Sequence, residues 1–102
     1  MAKSRRLRVS GPARLDLVLI GEYTRREWGA QQKRKYLGQI RDKFKAVRDS
    51  PSIGVARDDI DARLRAVVVR KHVIFYRETD TELIVVRVLH QSMDPDAHLK
   101  PG

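Results

Sequence analysis

Between residues 72 and 94, in HVIFYRETDTELIVVRVLHQSMD, the chain places two apolar runs on either side of a short polar turn. The runs are Val73, Ile74, Phe75 and Tyr76, then Leu83, Ile84, Val85, Val86, Val88 and Leu89. Strands with one wet face alternate apolar and polar residues, and these do not; such runs belong to strands covered on both faces. Something must therefore cover each side of this hairpin.

At 102 residues the chain is expected to form one domain, spanning 1–102, with a single modest core. It has no cysteine, so disulfides, cysteine-ligated zinc and thiol nucleophiles are excluded, in keeping with a reducing compartment. The N-terminal MAKSRRLRVS is basic but lacks the apolar core of a signal peptide, and no apolar run reaches the length of a membrane span. The expectation is a cytoplasmic protein without a membrane partner. Twenty-two Lys and Arg against thirteen Asp and Glu give a net charge of +9. A field of that sign steers acidic partners, whether nucleic acid or protein.

Weak alternation over 7–10 predicts a short first strand, closed by Ser10-Gly11-Pro12, which suits a helix start. Ala13, Leu17, Ile20 and Trp28, with Tyr23 beside them, follow helical spacing, and Gly29 breaks the helix. A second helix over about 30–49 aligns Tyr36, Leu37, Ile40, Phe44 and Val47, ending at Asp49-Ser50-Pro51. So short a connection folds the helices into an antiparallel hairpin. After an acidic-tinged connector at 52–62, three strands over 63–70, 71–77 and 82–90 form a meander, with Thr79-Asp80-Thr81 as the second turn. The Arg70-Lys71 turn lacks the Asn-Gly or Asp-Gly of tight hairpins. The expected fold is α+β in the order β-α-α-β-β-β, a helical hairpin packed on one face of a small antiparallel sheet that strand 1 rejoins. The opposite face is expected to be an exposed apolar surface rimmed by arginines, hence a binding site.

No zinc spacing, phosphate-cradling glycine loop or nucleophile elbow is present. Three histidines, His72, His90 and His98, and the strand arginines Arg63, Arg65, Arg77 and Arg87 remain. Such parts suffice for a metal-independent ribonuclease, in which histidines exchange protons and an arginine stabilises the phosphorane. Each also has a plainer role: His72 as a surface or edge histidine, His90 fixed by Asp94, and His98 in a loose terminus. Arg77 and Arg87 need partners inside apolar strands, and Asp58, Asp59 and Asp61 are candidates.

Taken in order, these residues resemble the ParE toxins of bacterial toxin-antitoxin modules, within the RelE/ParE superfamily. The resemblance rests on Ala13 to Tyr23 (ARLDLVLIGEY), Trp28-Gly29, Tyr36-Leu37, Phe44, Ser50-Pro51 and Gly54. It continues through Asp58-Asp59-Ile60, Leu64-Arg65, Val73 to Arg77, Arg87 to His90, and Met93-Asp94. It implies a non-enzymatic toxin, without cofactor or metal, that binds DNA gyrase, halts replication and is silenced by a ParD-like antitoxin in a hetero-oligomer. It also implies no direct sequence-specific binding of nucleic acid. The partner-binding residues expected on this reading are Arg65, Phe75, Arg77, Arg87, Leu89, His90, Met93 and Asp94, with no catalytic residue.

The RelE-type branch of the superfamily, ribosome-dependent messenger RNA endoribonucleases, is the alternative. By alignment on Phe75-Tyr76, Val73 and Ser92 stand where that branch carries arginines, and its lysine positions fall near Leu64 and Ala66. Only His98 lands near its C-terminal Tyr or His. Loss of one preorganised donor costs on the order of 2.7–4 kcal/mol of transition-state stabilisation, which disfavours the nuclease.

Overall fold

The structure is a computed structural model and describes residues 5–99. The start and end of the expected 1–102 domain, and the first four residues of the basic N-terminal stretch, lie outside the described residues. The chain runs β1 (Arg6–Val9), α1 (Gly11–Trp28), α2 (Ala30–Asp49), a single 3-10 turn (Pro51–Ile53), and β2 (Val55–Ala56). It continues with β3 (Arg65–Val69), β4 (His72–Glu78), β5 (Glu82–His90) and α3 (Pro95–Leu99). The fold is α+β, two helices packed on a five-stranded mixed sheet in the order β1-β5-β4-β3-β2.

Ser10 caps α1 by accepting from the Ala13 N–H at 3.2 Å, and its hydroxyl donates to the Val86 carbonyl at 2.8 Å. One residue therefore starts the helix and fastens it to β5. Gly29, at φ 92°, alone separates the two helices, a conformation glycine adopts without steric cost. The meander appears as expected, with Val69 opposite His72 across a two-residue Arg70-Lys71 turn. Arg70 takes the left-handed conformation, φ 52°, that Asn or Gly would have supplied more readily.

Strand 1 rejoins the sheet beside β5 but runs parallel to it, Leu7 opposite Leu83 and Val9 opposite Val85. The added reversal is β2, a two-residue strand antiparallel to β3 that lay inside the expected connector. Its brevity left no periodic signal.

Ala13, Ile20, Tyr36, Ile40, Phe44 and Val47 of the helices bury Ile74, Tyr76, Leu83, Val85 and Val88 of the sheet. The expectation of an exposed apolar face opposite them is corrected by the structure. Ile60 and Leu64, from the loop between β2 and β3, and partly buried Leu99 of α3 close over Phe75 and Leu89 in a second cluster. Phe75 is 1% exposed and Leu89 2%. A register shift between Phe75 and Tyr76, which pair with Arg87 and Val85, leaves Val86 as an extra residue on β5.

Tyr76 ties the layers to the 3-10 turn. Its hydroxyl donates to the Pro51 carbonyl at 2.6 Å and accepts from the Gly54 N–H at 2.8 Å. A side chain at Gly54 would overlap that ring. Tyr76→Phe leaves the buried Gly54 N–H unpaired and is expected to lower stability by about 1–3 kcal/mol, read as a lower urea midpoint at unchanged slope.

Candidate functional site

The expected partner-binding residues do not form one surface. Phe75 and Leu89 are core. Arg65 reaches inward to the Gly54 carbonyl at 2.8 Å. Arg77 is ion-paired with Asp61, one of the connector carboxylates anticipated for it, and its Nε donates to the Ala62 carbonyl. Arg87 finds a different partner. Its Nε and a terminal nitrogen donate to both oxygens of Asp16 on α1, at 2.8 and 2.9 Å, and the Val88 N–H joins at 2.9 Å. Asp94 is exposed and accepts from the Asp96 N–H at 3.1 Å, opening α3. The anticipated tie from Asp94 to His90 is absent; Ser92 makes it instead, through its hydroxyl at 2.7 Å and its N–H at 3.1 Å.

His90 and Met93 of that set do share a site, a cavity of about 920 Å³. Leu19, Ile20, Tyr23, Thr24 and Trp28 of α1 form one wall, and Tyr36, Arg70, Lys71 and His72 stand across from them. His72 and His90 are cross-strand partners, their rings 5.3 Å apart edge to face. The Tyr36 hydroxyl donates to the Val69 carbonyl at 3.2 Å and meets His72 Nδ1 at 2.6 Å. Burial, reinforced by the neighbouring His90 and partly offset by Asp16, lowers the His72 pKa to about 4. His72 is thus no surface histidine.

The cavity opens onto a surface that includes Trp28 and Tyr23, which helical spacing had placed on the buried stripe of α1. Trp28 is 72% exposed and Tyr23 58%, and Leu15, Val18 and Leu19 are exposed beside them. The buried side of α1 is Ala13, Asp16, Ile20, Gly21 and Thr24, small or polar residues for the most part, with Gly21 against Lys33 and Leu37 of α2. The signal was present in LDLVLI, where apolar residues occupy more of the helix circumference than one buried stripe needs. Arg70 and Lys71, at the β3–β4 turn, supply positive charge at the rim. Among the described residues no cluster of three or more metal-ligating side chains occurs, and no helix is long and apolar enough to cross a membrane.

The family model for the ParE toxin of the type II toxin-antitoxin system, parDE, matches residues 7–95. The chain belongs to the ParE toxin family. It is similar to Toxin ParE1 of Caulobacter vibrioides, 33% identical over 92 residues, covering 90% of this chain and 95% of the relative. It is also similar to Toxin ParE1 of Mycobacterium tuberculosis, 37% identical over 97 residues, 94% of this chain and 99% of that one. A chain from the solved structure "Chromosomal ParDE TA system from P. aeruginosa" superposes with a TM-score of 0.74 at 17% identity, covering 85% of this chain and 96% of its own. That likeness supports the fold. The match from residue 7 to residue 95 spans β1 through the start of α3, so the cavity and its walls lie within the family's domain.

Proposed function

We propose that this ParE-family chain is a growth-arresting toxin that binds and inhibits DNA gyrase, without catalysis of its own, and that a ParD-like antitoxin silences it. The observation that carries the partner reading is the set of exposed apolar residues Leu19, Tyr23 and Trp28 lining the 920 Å³ cavity, on a chain of net charge +9. An acidic amphipathic segment suits both features, filling the cavity with apolar side chains while its carboxylates meet the rim cations. His90 and Met93 belong to this contact. Arg65, Phe75, Arg77, Arg87, Leu89 and Asp94 act behind it, by holding β4, β5 and the tail in place. The non-enzymatic reading is supported by the engagement of Arg65, Arg77 and Arg87 with Gly54, Asp61 and Asp16, which leaves these strand cations unavailable to a phosphorane. Gyrase as the target follows from the family resemblance.

Purified toxin is expected to stop supercoiling of relaxed plasmid by gyrase, and equimolar antitoxin to restore it. Supercoiling that proceeds unchanged at saturating toxin would overturn the target, and codon-positioned cuts in messenger RNA after induction would replace it with the nuclease. Leu19→Glu places a charge among the exposed apolar residues of the cavity. It should leave the fold intact while weakening antitoxin binding more than tenfold, about 1.4 kcal/mol, in a titration calorimeter.

A further inference from the structure

Helix α2 carries a second exposed face unlike that of α1. Tyr36, Ile40, Phe44 and Val47 define its buried side. At 100° per residue, Gly38 falls near the centre of the opposite side. Arg34, Arg41 and Lys45 run past it in one line, each exposed, within about 40° of one another and spanning about 16 Å at 1.5 Å per residue. Lys35 and Asp42 occupy the other margin of this face. Among the described residues none of Arg34, Lys35, Arg41 or Lys45 lies within 4.0 Å of a carboxylate, whereas Arg48 at the end of the helix is paired with Asp49. A mid-helix glycine costs about 1 kcal/mol relative to alanine. A Cβ at Gly38 would meet nothing within 4 Å, so packing inside this chain does not explain it.

We propose that this face of α2 binds the phosphodiester backbone of duplex DNA, with Arg34, Arg41 and Lys45 on phosphates and Gly38 at the point of closest approach. Two observations favour DNA over an acidic protein. None of the large exposed apolar residues lies on α2, all of them being on α1, the strands, the loops or the tail, and protein interfaces need such anchors at their centre. A line of cations without anchors instead matches a ligand whose affinity comes from counterion release. A bare helix also fits the wide major groove of B-form DNA, whereas the A-form groove of duplex RNA excludes it. The contact reads no sequence, because phosphates carry none.

The test is fluorescence anisotropy of the full-length toxin with a labelled 20-base-pair DNA duplex across a salt series. The slope of log affinity against log salt should flatten by about 0.9 for each cation removed in Arg34→Ala, Arg41→Ala and Lys45→Ala. Arg14→Ala with Arg26→Ala, two exposed arginines of α1 that, among the described residues, have no carboxylate within 4.0 Å, is the control and should lose less per cation. Gly38→Ala should raise the unfolding midpoint yet weaken DNA binding. Circular dichroism of each variant checks the fold, which these exposed sites should leave intact. An unchanged slope in the triple variant, or an equal loss per cation in the α1 control, overturns the proposal. So does binding by duplex RNA or by polyglutamate of equal charge at least as tight as by DNA. Undiminished DNA affinity in Gly38→Ala overturns the close approach.

Discussion

Asp16→Ala is expected to destabilise the protein by about 3–5 kcal/mol, because it leaves a half-buried guanidinium without its counter-charge. Asp16 is 9% exposed and holds Arg87 by both carboxylate oxygens, a fork geometry stronger than a single hydrogen bond. It also accepts from Val88 N–H on β5, beyond the point where β1 pairing ends at Val85, so the same carboxylate closes the edge of the strand. Against a total stability of roughly 5–15 kcal/mol the loss is large. It corresponds to a fall in melting temperature on the order of 15–30 °C. The pair itself need not be favourable overall, since removing both charges avoids their desolvation. Asp16→Leu with Arg87→Met should therefore recover much of what Asp16→Ala loses, and urea unfolding of the two variants measures the difference. A loss below about 1 kcal/mol in Asp16→Ala would mean that Arg87 finds another partner and that this joint does not hold α1 to the sheet.

That joint also shows where the sequence was readable and where it was not. Helix ends were legible because Ser10, Pro12, Gly29 and Pro51 act on their immediate neighbours. The strands 72–78 and 82–90 were legible from unbroken apolar runs, and the inference that both faces are covered was sound. What covers the outer face was not legible. Ile60 and Leu64 are isolated apolar residues in an acidic loop, without period, and only the tertiary fold brings them over Phe75 and Leu89. Partner choice followed sequence distance: Asp61, near Arg77 in the chain, was anticipated, while Asp16, 71 residues from Arg87, was not. Ala13, Leu17 and Ile20 of α1 face the core as expected, but the exposure of Trp28 and Tyr23 was missed for a related reason. Two apolar stripes compete on that helix, and the small residues at Ala13, Gly21 and Thr24 permit close packing where larger ones would not. Leu15, Val18, Leu19, Tyr23 and Trp28 consequently face outward, and the candidate site moves from the sheet to the helix.

Acidification is expected to weaken the fold through His72, between about pH 6.5 and pH 4. Its pKa falls from 6.5 to about 4 in the folded chain, chiefly by burial, with His90 adding repulsion and Asp16 opposing it. Above pH 6.5 the imidazole is neutral in both states, and its contribution to stability is fully present. As the pH falls below 6.5 the unfolded chain takes up the proton first, so the unfolded state binds more protons and stability drops. The loss is complete below about pH 4 and amounts to about 3 kcal/mol, at 1.36 kcal/mol per pH unit of displacement. The structure gives the proton no good place. His72 Nδ1 already faces the Tyr36 hydroxyl at 2.6 Å, and the His90 ring stands edge-on at 5.3 Å. His72→Asn keeps a polar group near the Nδ1 position but does not titrate. The difference in unfolding free energy between pH 8 and pH 4.5 should therefore shrink by about 2–3 kcal/mol in that variant. An equal pH dependence in both proteins would assign the acid sensitivity to other groups. Because His72 and His90 line the cavity beside Leu19 and Trp28, a segment seated there deepens the burial of the neutral imidazole. By the same linkage, affinity for that segment should fall only as the pH approaches the folded chain's His72 pKa of about 4, below the pH at which the fold begins to weaken.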